Sequence, residues 1–184
     1  MVKSVKLGAN QLRVVKPTEK ELASIVRKPI YIVLDNVLDT YNIGSIFRLA
    51  DAVAAKEIIL CGGSECPPSS RIHKAAVGTE EWVPWSYSAT AESVLINLKS
   101  QIPNLKVIAV EQDSRSLPLQ RLNARFSMLN GPVAVIVGHE TDGVSKEVLD
   151  MADVIVEIPM WGVNKSLNVV VSTGIVLYKI LGMG

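Results

Sequence analysis

Ile158-Pro159-Met160-Trp161-Gly162-Val163-Asn164-Lys165-Ser166-Leu167-Asn168 separates two apolar stretches and decides how the rest of the chain is read. Val154 to Ile158 before it has the β-branched, continuous apolar character of a buried strand. Ser166 to Leu181 after it is a long apolar segment. Val169, Val170, Val171, Ile175 and Val176 lower its helix propensity. Its length of about 16 residues still favours a buried helix over a strand. The segment itself is therefore a strand end, a Pro/Gly loop and a helix start.

The same alternation extends upstream. Ile30–Leu34, Glu57–Cys61, Lys106–Val110 and Pro132–Val137 read as strands, the last ending in Gly138. Helical patterns fall at Ile43–Ala55, residues 69–77, residues 90–101 and Ser145–Met151. Thr18-Glu19-Lys20-Glu21 has capping-box spacing and predicts a helix over 19–27, ended by Pro29. Glu81–Trp85 reads as a short strand that Pro84 confines to an edge or end. Strands alternating with helices predict an α/β domain with a mostly parallel sheet flanked by helices. Ligands of such sheets bind beyond the carboxyl ends of the strands. The loops after residues 34, 61, 110, 137 and 158 are thus where function is sought.

The bulk properties set limits. A chain of 184 residues that is 48% hydrophobic makes one domain with a core, and leaves no room for a second full one. No apolar run reaches the roughly 18–20 residues of a membrane span. Met1–Lys6 lacks the apolar core of a secretory signal, so a cytoplasmic location is expected. Cys61 and Cys66 are too few for a disulfide framework, and with His73 and His139 make a poor zinc set; two free thiols and no metal are expected. Residues 1–28 carry seven basic residues (Lys3, Lys6, Arg13, Lys16, Lys20, Arg27, Lys28) against Glu19 and Glu21. That net +5 leaves −4 for the rest of a chain of net +1. A basic N-terminal extension on a mildly acidic body suits a polyanion such as RNA, or is simply a solvated segment.

Gly138-His139-Glu140-Thr141-Asp142-Gly143-Val144-Ser145 nearly spells a phosphate-binding P-loop, but Val144 stands where the lysine must be. Glu140 and Asp142 would repel a triphosphate. No G-x-G-x-x-G fingerprint is present. A glycine-bearing acidic loop suits a neutral or cationic ligand such as S-adenosylmethionine, or serves only as a strand-end turn.

Three segments in order resemble the SpoU (TrmH) branch of the SPOUT methyltransferases. Asp35-Asn36 followed by Asn42-Ile43-Gly44-Ser45-Ile46-Phe47-Arg48 is similar to the family's N-x-G-x-x-x-R motif. Val135–Val144 is similar to its strand and glycine loop, with His139 where the family more often has Asn. Ile158–Asn168 matches most closely, and His73-Lys74-Ala75-Ala76-Val77-Gly78 resembles a family turn. The resemblance spans about residues 29–181, with 29–184 as the methyltransferase domain. It implies a C-terminal trefoil knot, a rare exception to unknotted connections. It also implies a homodimer with the last helix in the interface, where Ser172, Thr173 and Gly174 would let another helix approach.

The activity implied is S-adenosylmethionine-dependent methylation of an RNA ribose 2′-hydroxyl, on tRNA before rRNA. The cofactor-binding residues it implies are Val110 and Glu111, then Gly138, His139, Glu140 and Gly143, then Ile158, Pro159, Met160, Ser166 and Leu167. Backbone groups around Ile158, Met160 and Leu167 would hold the adenine, and Gly138 would let the chain pass close to the cofactor. Arg48, Asn42, Glu140 and Asn168 are the catalytic set. Glu140 would brace the knot and the Asn168 region. Asn42 and Asn168 would position the ribose or each other, Asn42 being alternatively a helix N-cap. Arg48 would anchor a phosphate and stabilise the developing alkoxide, since a guanidinium stays protonated. Lys165, Arg13 and Lys16 are candidate RNA contacts. Trp82, Trp85, Tyr41 and Trp161 are the aromatics that could stack on bases, with Trp82 and Trp85 equally suited to the core. Two other readings remain: an RNA-binding module with a vestigial cofactor pocket, and a nucleotide-binding α/β hydrolase.

Overall fold

Among the described residues the apolar runs resolve into seven strands of one parallel sheet. The computed structural model describes residues 6–122 and 131–182; Lys3 of the basic extension lies outside the described residues. Two short helices come first, α1 (Ala9–Leu12) and α2 (Glu19–Ser24). Then follow β1 (Lys28–Asp35), α3 (Thr40–Ala52), β2 (Ala55–Cys61), α4 (Ser70–Ala76), a 3-10 turn (Thr79–Glu81), β3 (Trp85–Ser88) and α5 (Ala91–Gln101). The chain continues through β4 (Lys106–Val110), β5 (Leu117–Pro118), a second 3-10 turn (Leu119–Arg121), β6 (Val133–Gly138), α6 (Lys146–Met151), β7 (Val154–Glu157) and α7 (Val169–Ile180). The sheet order is β3-β2-β1-β6-β4-β7-β5, with every pairing parallel.

The apolar runs are continuous because both sheet faces are covered. Ile30, Ile32 and Leu34 of β1 and Val133, Val135 and Val137 of β6 point into a core with α3, α4 and α7. Val33, Ala134 and Ile136 point the other way, into a core with α5 and α6. Gly44 of the Asn42–Arg48 motif has a packing task. A Cβ there would lie 2.6 Å from the Ile72 carbonyl oxygen, so α4 crosses α3 at that point.

The helix end read at Pro29 and the strand start read at Glu81 are placed differently, while the edge implied by Pro84 is where β3 lies. The capping box forms, with Thr18 Oγ accepting from Glu21 N–H, but α2 ends at Ser24, not 27. Pro29 lies inside β1, where the register against β2 slips between Lys28 and Tyr31 and absorbs the missing N–H. Residues 79–81 form the 3-10 turn, and the edge strand begins at Trp85. Pro84 precedes it and uses its carbonyl to accept from Ile58 N–H.

The apolar C-terminal segment is helical. Thr173, Val176, Leu177 and Ile180 are buried against the sheet and α3. Thr173 is fully buried, and a Cβ on Gly174 would meet Leu49 of α3 at 3.5 Å. Thr173 and Gly174 thus pack within this chain. The exposed side of α7 presents Val171, Ile175 and Tyr178 instead. No helix among the described residues is long and apolar enough to cross a membrane. Cys61 and Cys66 are free thiols, the first buried at the end of β2 and the second in the loop beyond it.

Candidate active site

The carboxyl ends of three neighbouring strands, β6, β4 and β7, open on a cavity of about 420 Å³. Its walls are the loops that follow these strands and the first turn of α7. Three of the five loops singled out in the sequence thus converge. The loop after β1 braces them from behind. The loop after β2 is held elsewhere, by Asn36 Oδ1 accepting from Gly63 N–H at 2.8 Å.

The loop after β6 folds back on itself. His139 and Gly143 exchange both backbone hydrogen bonds, at 3.0 and 2.9 Å. A Cβ on Gly138 would stand 2.2 Å from the carbonyl carbon and oxygen of Gly143, so glycine is required by the loop's own return. Gly143 has φ +74, and a Cβ there would meet Glu111 Oε2 at 2.1 Å. That carboxylate accepts from Val144 N–H at 2.9 Å through Oε2 and from Gln112 N–H at 2.8 Å through Oε1. His139 Nδ1 accepts from the N–H groups of Thr141 and Asp142, both at 3.1 Å. Those bonds require the proton on Nε2. The ring nitrogen thereby closes the turn as an Asn side-chain oxygen would.

Glu140 points back toward α3. Its Oε2 accepts from Leu38 N–H at 3.2 Å, and its Oε1 from Asp39 N–H and Asn42 Nδ2, both at 3.0 Å. Partial burial opposes its charge, but the bonds from Asn42, Leu38 and Asp39 outweigh burial and hold the carboxyl below its ordinary range. Asn42 Oδ1 in turn accepts from Asn168 Nδ2 at 3.0 Å. Asn168 Oδ1 accepts from Val170 N–H at 2.8 Å and caps α7. A relay Glu140–Asn42–Asn168 thus ties the β6 loop, α3 and the start of α7 together. The N-cap of α3 is Asp39, and Asn42 stands one turn inside the helix, 8% exposed. Each amide nitrogen retains a second N–H for a ligand.

Val110, Glu111, Gly138, His139, Glu140, Gly143, Ile158, Ser166, Leu167 and Asn168 all line the cavity. Pro159 and Met160 are half-buried outside the lining. Arg48 is exposed and also outside it. Six residues beyond Asn42, it is displaced about 9 Å along α3 and turned well away from Asn42's face.

Sequence reasoning missed several contributors. Gln112 lines the cavity, and its Nε2 donates to the Lys165 carbonyl, linking the β4 loop to the Ile158–Asn168 segment. Thr141, Asn164 and Ser172 also line it. Asp35, 8% exposed at the end of β1, accepts from Ser145 N–H at 2.8 Å and Ser145 Oγ at 2.7 Å. A signal existed for Asp39, an N-cap residue just before an apolar-periodic helix. Nothing local marks Gln112.

The chain matches the SpoU rRNA Methylase family over residues 29–178. It is 31% identical over 161 residues to the 23S rRNA (guanosine-2′-O-)-methyltransferase RlmB of Haemophilus influenzae, covering 88% of this chain and 63% of that protein. Among solved structures it is similar to the TrmH/SpoU tRNA modifying enzyme of A. aeolicus, with TM-score 0.74, 26% identity, and coverage of 95% of this chain and 81% of that one. It is equally similar to an AdoMet-bound rRNA methyltransferase from Sinorhizobium meliloti, with TM-score 0.74, 28% identity, and coverage of 92% and 59%. The chain therefore spans about three fifths of the length of the H. influenzae and S. meliloti proteins.

Proposed function

This chain belongs to the SpoU rRNA Methylase family, whose fold is an α/β knot, and from that premise we propose that it methylates a ribose 2′-hydroxyl of RNA with S-adenosylmethionine as donor. One observation carries the cofactor reading. The cavity is lined by Glu111, Glu140, Asp142 and Glu157, with no Lys or Arg among its described lining residues. Four carboxylates without a cation disfavour a triphosphate and suit a ligand bearing a sulfonium and an ammonium group. This argues against the nucleotide-hydrolase reading. When bound, S-adenosylmethionine supplies an electrophilic methyl group.

The protein's own groups supply binding and orientation. Gly138, Gly143 and the peptide groups around Ile158, Ser166 and Leu167 are the proposed holders of the cofactor. Asn42 and Asn168, fixed by Glu140, offer their free N–H groups to the ribose, because in-line transfer needs a tightly fixed oxygen. Arg48 anchors an RNA phosphate and stabilises the alkoxide as it develops. Its position outside the cavity fits an arginine that acts across a homodimer. The exposed Val171, Ile175 and Tyr178 of α7 are the apolar strip that a second copy would cover. Similarity to the A. aeolicus tRNA enzyme supports tRNA as the first substrate class to test. The rRNA substrate class of the H. influenzae relative is the competing outcome.

The test pairs binding with turnover. Calorimetry of S-adenosylhomocysteine and ATP should show binding of the first alone; binding of neither supports the inert RNA-binding module. Arg48→Ala should retain S-adenosylhomocysteine binding and lose methyl transfer by two orders of magnitude or more, about 3 kcal/mol of transition-state stabilisation. Near-wild-type turnover would sink the role given to Arg48.

A further inference from the structure

A second cavity, of about 570 Å³, lies beside the outer strand of the sheet and shares no lining residue with the first. Its walls come from Pro67–Ser70 beyond β2, from α4, from the turn at residues 79–81 and from the start of β3. We propose that this cavity holds an unpaired nucleotide of the RNA substrate, away from the ribose that is methylated; the inference rests on the RNA reading above.

The apolar part of the site is flat. Trp85 is 36% exposed on an edge strand, with no further strand among the described residues to cover it. Pro67 and Pro68 add apolar wall. Tyr87, two residues along β3 and so on the same face, is 55% exposed and donates its hydroxyl to the Gly62 carbonyl at 3.0 Å. Two exposed aromatics on one strand face are the stacking platform that single-stranded RNA uses.

The polar part is oriented. His73, whose side chain is 44% exposed, is bound through Nδ1 to Glu80 Oε1. Glu80 is 7% exposed, and its Oε2 has no hydrogen-bond partner among the described residues. The carboxylate thus leans on His73 and fixes the ring, leaving Nε2 as the ring's hydrogen-bonding atom for a ligand. Glu81 lines the same cavity and can accept from a base amino or imino group. A purely apolar guest would leave His73 Nε2 without a partner.

Lys16 brings positive charge to a site that otherwise holds the carboxylates of Glu80 and Glu81. Arg71 and Lys74 are exposed on α4. Lys16 Nζ reaches Glu81 at 3.3 Å. The basic extension is seated here, because a Cβ on Gly78, at φ +91, would stand 2.0 Å from the Leu12 carbonyl oxygen. Lys16 is therefore held beside this cavity. A base stacked on Trp85, its edge against His73 and Glu81 and its phosphate toward Lys16, satisfies all three parts.

The experiment measures binding of a fluorescein-labelled single-stranded RNA of mixed sequence, by anisotropy, with S-adenosylhomocysteine saturating. Trp85→Ala should weaken RNA binding about tenfold, the size of one lost base stack. Trp85→Phe should recover most of it. Neither change should alter S-adenosylhomocysteine affinity or the circular dichroism spectrum. RNA affinity of Trp85→Ala within twofold of wild type overturns the cavity's role and leaves the methyltransferase reading intact. Wild-type protein that binds S-adenosylhomocysteine but no RNA overturns both. Photocrosslinking of wild-type protein to 4-thiouridine RNA gives an answer independent of folding. Adducts in the peptides bearing His73 or Trp85 support the site, and adducts only elsewhere refute it.

Discussion

Asn42→Asp exchanges one NH2 group for an oxygen at the centre of the relay. Asn42 Nδ2 donates to Glu140 Oε1 at 3.0 Å, so the substitution sets two carboxylate oxygens face to face at that distance. At an effective dielectric constant of roughly 20, two unit charges so placed repel by about 5 kcal/mol. Glu140 is open to solvent on one side, which reduces this to roughly 2–3 kcal/mol. Loss of a hydrogen bond to a charged acceptor adds about 1.5–3 kcal/mol. Proton uptake by one carboxyl relieves both terms, because the introduced group then donates an O–H to Glu140. From an ordinary Asp pKa, that proton costs about 4 kcal/mol at pH 7 and about 1.5 kcal/mol at pH 5. The cheaper route sets the deficit, so it should be about 4 kcal/mol at pH 7 and shrink to about 1.5 kcal/mol at pH 5. The sign is that of a group whose pKa is raised on folding: its contribution is present below the unfolded value and lost as pH rises. Asn42→Ala breaks the relay without adding charge, and its deficit should not move between the two pH values. Urea unfolding of the three proteins at both pH values is the assay. An Asn42→Asp deficit that is the same at pH 5 and pH 7 would refute the relay as drawn.

The carboxyl 13C resonance of Glu140 should titrate with a midpoint below its ordinary 4.5. Its contribution to stability is then present at neutral pH and lost only as pH falls through that lowered midpoint; a midpoint above 5 would contradict the bonding described. Gly138→Ala places a Cβ within 2.3 Å of backbone atoms of Gly143 and Val144, and should cost about 1–3 kcal/mol and at least tenfold in S-adenosylhomocysteine affinity. Gly174→Ala meets only Leu49 at 3.5 Å and should be neutral or gain up to about 1 kcal/mol; thermal melts of the two variants together check the contrast. Burial, with Asp35 and Cys66 adding to it, pushes the Cys61 thiol up to about 12. The native protein should therefore leave Cys61 unlabelled by a thiol reagent at pH 8, and urea should expose it at once.

Much of the sheet was legible because strands such as Ile30–Leu34 and Val133–Val137 are apolar on both faces, and that continuity survives in one dimension. Boundaries were misread where a proline was taken as a full stop. Pro29 is accommodated by a register slip, which no local pattern encodes, whereas Pro84 marked an edge strand and β3 lies at the edge. Glu140 was legible as a brace only through the family resemblance; by itself the loop showed an acidic residue that disfavours a triphosphate, and its bonds to Leu38, Asp39 and Asn42 lie about 100 residues away. The pairing of Asn42 with Asn168 spans 126 residues, and Ser145 finds Asp35 across 110; no periodicity reports such contacts. Thr173 and Gly174 read as an approach for a second helix, since small residues look alike whichever helix they receive. In this chain Gly174 lies against Leu49 of α3, as an internal core helix would place it. The basic charge of residues 1–28 was visible, but not the seat of that segment against Gly78.

The proposed role of the cavity beyond β4, β6 and β7, methyl transfer to a ribose hydroxyl, is tested directly by its product. Methyl-labelled S-adenosylmethionine, wild-type protein and total RNA lacking this modification should give label in alkali-resistant dinucleotides, the signature of a 2′-O-methyl group. Label found in bases alone, or no incorporation by protein that binds S-adenosylhomocysteine, would contradict it.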